Sequence, residues 1–234
     1  MSLLTAKGIR KSFNAGAGEK MVLNNAGLNI DSGELVTILG PSGSGKSTLL
    51  NICGLIDSAD RGEILWQDQD LLKLSVRSRT EFRRANIGFV FQSFNLIPVM
   101  TAFDNVAFPL MLLNWPSKKI HKRVNTLLEQ VGLADHARYK PGQLSGGQCQ
   151  RIAIARALVK QPALIIADEP TASLDADTAI QVMALMKQLM VAQQTACLVA
   201  THDSRLMPFS DRVLHVDHGH VVEEHDMTVK GVVA

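Results

Sequence analysis

Residues 40–47 read Gly40-Pro41-Ser42-Gly43-Ser44-Gly45-Lys46-Ser47, the pattern G-x-x-x-x-G-K-S of a phosphate-binding loop. An apolar run before the loop predicts a strand, and a second apolar run that begins at Ser47 predicts a helix. The glycines allow consecutive backbone N–H groups to face one anion, and the helix N-terminus adds partial positive charge. The segment therefore predicts a site for a nucleoside triphosphate.

The residue types of this loop indicate how a nucleotide would be held. Lys46 is expected to reach the β- and γ-phosphates, and the Ser47 hydroxyl is expected to hold Mg²⁺. Thr48, at the start of the predicted helix, is expected to bind ATP together with the loop residues. A glycine-rich turn without a nucleotide role is the alternative, which the Lys-Ser ending and the strand–loop–helix context disfavour.

Length and composition limit the class of protein. The chain has 234 residues, 46% of them hydrophobic, which suits one large domain or two closely packed subdomains. Its net charge of +2 gives no indication of a nucleic-acid partner. No apolar run approaches the roughly 18–20 residues that span a bilayer, and the N-terminal segment is too short and polar for a secretory signal. We therefore expect a cytoplasmic protein whose membrane role, if any, depends on a partner.

The predicted elements change along the chain. The first third is rich in strand patterns, residues 93–160 have helical spacing, and the last third alternates again. The apolar runs 163–167 and 196–200 flank a predicted helix at 177–192, which indicates a strand–helix–strand unit and hence a parallel sheet. Residues 212–216 and 220–223 suggest a terminal hairpin. The pattern predicts an α/β fold with a helical insertion.

Two adjacent carboxylates follow the apolar run 163–167. Asp168, at the predicted strand end, is expected to orient Mg²⁺ opposite Ser47, usually through water. Glu169 is expected to polarise the water that attacks the γ-phosphate. A solvated acidic turn is the alternative, which the phosphate-binding loop makes less attractive.

A second motif, Leu144-Ser145-Gly146-Gly147-Gln148, precedes a predicted helix. Ser145 and Gln148 fit the S-x-x-Q capping box, which explains these two residues structurally. A cap does not explain two glycines, which cost backbone entropy unless something approaches closely. The motif therefore suggests a second anion site formed by backbone N–H groups, a Ser hydroxyl and a helix N-terminus.

These three motifs in this order resemble the ATPase subunit of ABC (ATP-binding cassette) systems, over about residues 4–222. The resemblance implies a P-loop NTPase fold of the ABC nucleotide-binding type, with an antiparallel β-subdomain and a helical subdomain insertion. A single domain, 1–234, would then consist of a catalytic core with its β-subdomain (1–92 and 161–234) and a helical signature subdomain (about 93–160). The resemblance also implies an ATPase with ATP and Mg²⁺ as cofactors.

Further roles follow from the resemblance, position by position. Phe13 matches the aromatic that stacks on adenine, with a buried Phe of the β-subdomain as the alternative. Gln92 matches the Gln that joins Mg²⁺ and the attacking water to the helical insertion, and a plain surface Gln is its alternative. Asp175 matches a loop at the dimer interface and is also a reasonable N-cap. His202 matches the switch histidine that contacts the γ-phosphate, at a strand end where ligands bind.

The resemblance implies partners as well. Ser145, Gly146, Gly147 and Gln148 would complete the ATP site of a second subunit, so a homodimer would enclose two ATP molecules. The segment 93–101 would form the docking groove for an integral membrane permease, with Phe94, Leu96, Ile97 and Met100 as apolar anchors. Packing within the insertion is the alternative for these anchors. The chain would thus be peripheral on the inner (plasma) membrane.

The wider run from residue 87 to 106 is most similar to the branch of macrolide exporters, lipoprotein-releasing ATPases and the cell-division ATPase, whose permeases have few spans. A non-transport ABC ATPase acting on DNA or ribosomes is the alternative, but long coiled-coil or zinc insertions and a second cassette are not evident. A P-loop kinase would leave residues 144–148 without a role. Finally, Cys149 stands where the family usually has a polar residue, so we expect thiol reagents to affect activity.

Overall fold

The computed structural model describes residues 2–14 and 18–223. Residues 1, 15–17 and 224–234, which belong to the expected domain, lie outside the described part. The strands are β1 (Ser2–Asn14), β2 (Glu19–Asp31), β3 (Leu35–Leu39), β4 (Arg61–Trp66), β5 (Gln69–Asp70), β6 (Ile87–Phe91), β7 (Leu164–Asp168), β8 (Ala196–Thr201), β9 (Arg212–Asp217) and β10 (His220–Glu223). The α-helices are α1 (Lys46–Cys53), α2 (Val76–Asn86), α3 (Ala102–Leu112), α4 (Ser117–Gln130), α5 (Gly146–Leu158) and α6 (Ala176–Gln193).

The strands form two sheets of different character. A four-stranded antiparallel sheet has the order β2-β1-β4-β5, and a six-stranded sheet has the order β10-β9-β3-β8-β7-β6. In the larger sheet β9, β3, β8, β7 and β6 run parallel, and only β10 is antiparallel. The connections between the parallel strands are long enough to carry helices, as parallel pairing requires.

The central strands of the larger sheet are buried on both faces. Along β7, Leu164 and Ile166 pack into the core on one face, whereas Ile165 and Ala167 pack into the core on the other. This alternation follows from the two-residue period of a strand. Continuous apolar runs are therefore the correct signal for these strands, because both faces are covered.

Different elements cover the two faces. The core on one face contains α1 residues and the inward side chains of the antiparallel sheet. The core on the other face contains the apolar side chains of α3, α4, α5 and α6. In α4 the buried residues Ile120, Val124, Leu127 and Leu128 recur at helical spacing, as predicted. The helical segment thus shares one continuous core with the parallel sheet.

The architecture agrees with the α/β prediction, although helix α2 and strand β5 were not predicted, and α3 had not been located within the predicted helical insertion. Helix α2 is basic and polar and packs only half-buried side chains, so its hydrophobic period is weak. Helix α3 is apolar around most of its surface and contains Pro109, which obscures its pattern. Its Thr101–Asp104 capping box is a start signal that could have located it. Strand β5 spans two residues and is too short to show a period.

All three cysteines are buried. Burial raises the pKa of the Cys53 thiol to about 12, and it also raises the pKa values of Cys149 and Cys197. A thiol with a raised pKa and little exposure carries little reactive thiolate at neutral pH. The expectation that thiol reagents act through Cys149 is therefore disfavoured by its environment.

Within residues 2–14 and 18–223, no helix combines the length and the apolar character needed to cross a membrane.

Arg123 joins three helices at the base of the helical segment. From α4 its guanidinium donates to the carbonyl oxygens of Leu158 and Val159 at 3.2 and 3.0 Å, at the C-terminal end of α5. It also donates to Gln193 Oε1 on α6 at 3.1 Å. Carbonyl groups at a helix C-terminus lack intrahelical partners, and a cation placed there satisfies them.

The substitution Arg123→Met should lower the free energy of unfolding by about 1–3 kcal/mol, because it keeps the aliphatic stem and removes these hydrogen bonds. Urea denaturation followed by circular dichroism measures the change. Gln193→Ala is the matched control. It should lower the free energy of unfolding by less, because Arg123 still donates to the Leu158 and Val159 carbonyl oxygens. Equal stability of Arg123→Met and the parent chain would contradict this role.

Candidate functional site

Four adjacent parallel strands end at one edge of the larger sheet, and a candidate site residue follows each of them. The 40–47 loop follows β3, His202 follows β8, Asp168 and Glu169 stand at the end of β7, and Gln92 follows β6. This edge opens into a cavity of about 680 Å³. Its lining residues are Phe13, Val22, Ser42, Gly43, Gly45, Lys46, Ser47, Thr48, Gln92, Glu169 and His202.

The 40–47 loop adopts a conformation that depends on glycine. Gly45 has φ of 108°, and a Cβ there would lie 2.9 Å from the Val22 carbonyl oxygen. At Gly40 a Cβ would lie 2.5 Å from the Val216 carbonyl oxygen. Both positions therefore exclude a side chain, because the loop packs closely against the backbone of β2 and β9.

Lys46 begins helix α1 and is 6% exposed. Its Nζ donates to the carbonyl oxygens of Gly40 and Pro41 at 2.7 and 3.0 Å. The loop thus wraps around its own ammonium group. The buried Ser44 Oγ has no hydrogen-bond partner among the described residues.

Ser47 and Asp168 meet across the cavity edge although 121 positions separate them. The Ser47 hydroxyl donates to Asp168 Oδ1 at 3.0 Å. Burial raises the pKa of the Asp168 carboxyl, the Ser47 hydrogen bond and Lys46 oppose this, and the neighbouring Glu169 adds to it. A hydroxyl and a carboxylate placed together supply the oxygen ligands that Mg²⁺ prefers.

Glu169 is held in a strained backbone conformation beside His202. Its φ is 47°, in the left-handed region that is costly for a residue with a side chain. Its N–H donates to the Ala200 carbonyl oxygen at 2.9 Å, and its Oε1 lies 2.9 Å from His202 Nδ1. The buried Oε2 lacks a partner within the described chain. One carboxylate oxygen is therefore fixed by the imidazole while the other remains available as a proton acceptor.

Phe13 and Gln92 also lie at this cavity. Phe13 is 43% exposed on β1, so the alternative of a buried core Phe is wrong. Lys11 Nζ lies 5.1 Å from the centroid of its ring, a cation–π distance. Gln92 is exposed, and its carbonyl oxygen accepts from the Ser173 hydroxyl at 3.1 Å. Val22 lines the cavity too, although the sequence analysis did not single it out.

The 144–148 motif does not line this cavity among the described residues. Ser145 caps α5: its Oγ accepts from Gln148 N–H at 3.3 Å, and Gln148 Oε1 accepts from Ser145 N–H at 2.8 Å. The predicted capping box is therefore present. Although its hydroxyl takes part in this cap, Ser145 is exposed, and it stands at a helix N-terminus.

Gly147 has a structural reason that the sequence analysis missed. A Cβ at this position would lie 2.6 Å from Thr178 Cγ2 of α6. The sequence analysis expected that something approaches this glycine closely. Helix α6 of the same chain is one such neighbour. At Gly146 the nearest atom to a Cβ would be Leu174 Cδ2 at 3.4 Å, so this glycine is not required by packing to the same degree.

Asp175 begins α6 as its N-cap, and its carboxylate accepts from Thr178 N–H at 2.9 Å. This hydrogen bond lowers the pKa of the Asp175 carboxyl. The capping role is established by geometry. Asp175 lies outside the lining of the 680 Å³ cavity within the described chain, as the 144–148 motif does.

The segment 93–101 is held by two side chains that the sequence analysis did not assign. Asn105 is fully buried, and its side chain bonds the N–H and carbonyl of Ile97 and the carbonyls of Met100 and Thr101. Arg156 of α5 donates to the carbonyl oxygens of Phe94 and Asn95. A buried Asn in an otherwise apolar stretch is the signal that could have identified these hydrogen bonds, because a buried polar side chain needs partners.

The family described as ABC transporter matches residues 23–172, which contain the phosphate-binding loop, the 144–148 motif and the paired carboxylates. The chain belongs to the ABC transporter family. The predicted α/β fold of the ABC ATPase type and the predicted ATPase activity are thereby confirmed.

Individual relatives agree with the family assignment. This ABC chain is 42% identical over 221 residues to a lipoprotein-releasing system ATP-binding protein LolD of Pseudomonas fluorescens, covering 94% of this chain and 97% of the relative. It is also 42% identical to an uncharacterized ABC transporter ATP-binding protein of Bacillus subtilis, covering 94% and 96%. The similarity to LolD agrees with the predicted branch, and the comparisons favour a transporter ATPase over the non-transport alternative.

Solved structures give the same result. The ABC chain superimposes with a TM-score of 0.86 on a dimeric post-hydrolysis state of an ATP-binding cassette bound to ADP and Pi. That cassette is 40% identical, and the match covers 94% of this chain and 98% of the other. A dimeric bacterial ABC transporter cassette also superimposes with a TM-score of 0.86, at 41% identity.

The packing of Gly147 predicts a specific compensation in this ABC chain. Gly147→Ala should lower the free energy of unfolding by about 1–3 kcal/mol, because the new methyl group overlaps Thr178 Cγ2. Adding Thr178→Ser removes that methyl group and should restore most of the loss. Thermal unfolding of the single and double variants measures both effects. Gly142→Ala, where a Cβ meets open space, is the control.

Proposed function

We propose that this chain is one half of a homodimeric ATPase that drives a separate membrane permease. The observation that carries the proposal is the separation of two motifs within one chain. Lys46, Glu169 and His202 share a cavity, whereas Ser145 lies outside its lining in the described residues. Ser145 caps the exposed end of a helix, where backbone N–H groups and a hydroxyl are suited to an anion held elsewhere.

The cavity fits Mg-ATP on the evidence of its own groups. Glu169 Oε2 is a buried polar atom without a partner in the described chain, and Gly43, Gly45 and Lys46 line the cavity. We assign the phosphates to residues 40–48 and the adenine to the exposed face of Phe13. Ser47, Asp168 and Gln92 would hold Mg²⁺, which when bound neutralises charge on the phosphate oxygens.

The remaining residues supply the chemistry of water attack. Glu169 accepts a proton from the attacking water with its free Oε2 and thereby orients that water. His202 holds Oε1 of the same carboxylate and so fixes its direction. Lys46, which already lies inside the loop, offsets charge that develops on the transferred phosphate. In this scheme positioning and electrostatics account for the rate, as is usual in phosphoryl transfer.

Two copies arranged head to tail would bring Ser145, Gly146, Gly147 and Gln148 of each to the cavity of the other, with Asp175 beside the interface. The dimeric states of the two similar cassettes support this arrangement. ATP then joins the subunits, and hydrolysis weakens the contact.

The permease contact is assigned to the segment 93–101 and its surroundings. A groove of about 210 Å³ lies beside it, lined by β6, Pro109 and the basic residues Arg156 and Lys160. Its Phe89 and Phe91 rings stack at 5.9 Å between centroids. Phe94, Leu96, Ile97 and Met100 are half-buried, and Leu96 packs against the helical core, so Val99 at 77% exposure is the more accessible anchor. A cytoplasmic permease helix with apolar and acidic side chains fits this surface.

The similarity to LolD supports a permease of the lipoprotein-releasing kind, with few spans and a large extracytoplasmic domain. Through it the chain would be peripheral on the inner (plasma) membrane. No nucleic-acid partner is proposed, since the net charge is only +2.

The substitution Glu169→Gln tests the assignment of the proton acceptor. The variant should bind ATP and lose hydrolysis by roughly 10²- to 10⁴-fold, because the amide cannot accept the proton. It should also accumulate as an ATP-dependent dimer in analytical ultracentrifugation. Glu81→Gln, on the exposed face of α2, is a control that should leave both properties unchanged. A fully active Glu169→Gln would refute this role.

Complementation tests the shared site. A copy with Lys46→Ala and a copy with Ser145→Ala should each lose most activity alone, since each damages both sites of its own homodimer. Mixed, they should form heterodimers in which one site has an intact loop and an intact 144–148 motif. ATPase assays of the mixture should therefore recover part of the activity. Absence of recovery, with heterodimers demonstrated by tagged co-purification, would exclude the shared site.

A further inference from the structure

His136 contacts the capping box at the start of α5. It closes a short 3₁₀ turn, Ala134–His136, that lies between α4 and the 144–148 motif. Its Nε2 lies 3.3 Å from Nε2 of the Gln148 side chain. The contact joins residues 12 positions apart and is made by the side chain of the residue that closes the capping box.

The donors and acceptors of this contact are fixed by the backbone. Ser145 N–H can only donate, so the Gln148 atom that it meets at 2.8 Å must be the amide oxygen. The amide nitrogen therefore faces His136 and donates to it. The imidazole Nε2 must then be the acceptor, which places the ring proton on Nδ1.

The second ring nitrogen of His136, Nδ1, lacks a hydrogen bond to the described part of the chain in this arrangement. His136 Nδ1 is buried and has no hydrogen-bond partner among the described residues. The ring packs against Tyr139 with centroids 5.0 Å apart in an edge-to-face arrangement. A buried N–H without a partner is unfavourable and calls for an explanation, and the acceptor required by Gln148 provides one.

The turn that carries His136 is also tied to helix α3. Ala102 N–H donates to the Tyr139 carbonyl oxygen at 2.7 Å, and Phe103 N–H donates to the Ala137 carbonyl oxygen at 2.9 Å. These are among the first N–H groups of α3, which lack intrahelical partners. The segment 137–139 thus caps the helix that begins directly after residues 93–101.

We propose that His136 is a positioning residue for Ser145. Its neutral imidazole holds the Gln148 amide in the single orientation that accepts Ser145 N–H, and so fixes the Ser145 hydroxyl at the head of α5. Without this acceptor the Gln148 amide keeps only its bond to Ser145 N–H, which then holds that orientation less firmly. The consequence for catalysis rests on the proposed function, in which Ser145 serves the nucleotide of the second subunit.

Two variants separate the acceptor from the packing of the ring. His136→Phe keeps a ring against Tyr139 and removes the acceptor. His136→Gln places an amide oxygen near the position of Nε2 and keeps the acceptor. Hydrogen exchange of the Ser145 amide, measured by NMR on the full chain without nucleotide, reports the capping bond directly. We expect exchange to accelerate roughly tenfold in His136→Phe and to return close to the parent rate in His136→Gln.

A second measurement reports the consequence for the dimer. In the Glu169→Gln background, His136→Phe should weaken ATP-dependent dimerisation by roughly tenfold, with His136→Gln close to the parent. Binding of a fluorescent ATP analogue to the monomer should be unchanged in both, since His136 lies outside the cavity lining. Matching circular dichroism and thermal unfolding midpoints establish that both variants fold.

The outcomes distinguish this inference from the proposed function. Unchanged Ser145 exchange in His136→Phe, or equal acceleration in His136→Phe and His136→Gln, would overturn the positioning role. Ser145→Ala is the reference for the dimer. If Ser145→Ala weakens dimerisation and His136→Phe does not, the positioning role is overturned while the proposed function stands. If Ser145→Ala has no effect, the proposed function fails, and the exchange measurement still decides the role of His136.

Discussion

The parallel pairing of β3, β8, β7 and β6 is the constraint on which the site depends. Pairing aligns Leu39 with Thr201 and Asp168 with both Ala200 and Phe91. The carboxyl ends of all four strands are therefore level, and the segments that follow them enter the same space. Residues from four distant parts of the sequence meet there because of strand register, and side chains such as Ser47 and Asp168 then complete the contacts.

Much of this could be predicted from the sequence, for identifiable reasons. The strands β7 and β8 are buried on both faces, so they appear in the sequence as the continuous apolar runs 163–167 and 196–200. Capping residues such as Ser145 and Asp175 act locally and were recognised from spacing alone. The alternative that Phe13 is a buried core residue was wrong, because β1 extends to Asn14 and the Phe13 side chain near its end is exposed.

Other features depend on tertiary contacts that spacing cannot reveal. The sequence predicted that β7 and β8 run parallel, but the contact between the Glu169 carboxylate and the His202 ring depends on how the two side chains are directed at the strand ends. Gly147 is required because Thr178 of another helix packs against it. The segment 93–101 is held by hydrogen bonds from Asn105 and Arg156. Helix α2 was missed because its residues are at most half-buried, with Phe82 packed against the core, so no buried stripe marks its sequence.

Helix α5 connects the two ends of the proposed mechanism. Its N-terminus carries the 144–148 motif, and Arg156 near its C-terminus holds the carbonyls of Phe94 and Asn95. Between them the buried Gln150 donates to the carbonyl oxygen of Pro170, directly after Glu169. Because this one helix contacts both regions, a displacement at the nucleotide can be transmitted through it to residues 93–101, and the reverse.

The burial of Cys53, Cys149 and Cys197 has a practical consequence. Maleimide probes require an accessible thiolate, which these side chains do not offer at neutral pH. A cysteine introduced on an exposed position, such as Val99 or Val191, would therefore be labelled selectively in the otherwise native sequence. Spin labels or fluorophores attached in this way would report inter-subunit separations without first rebuilding the core around three replaced residues.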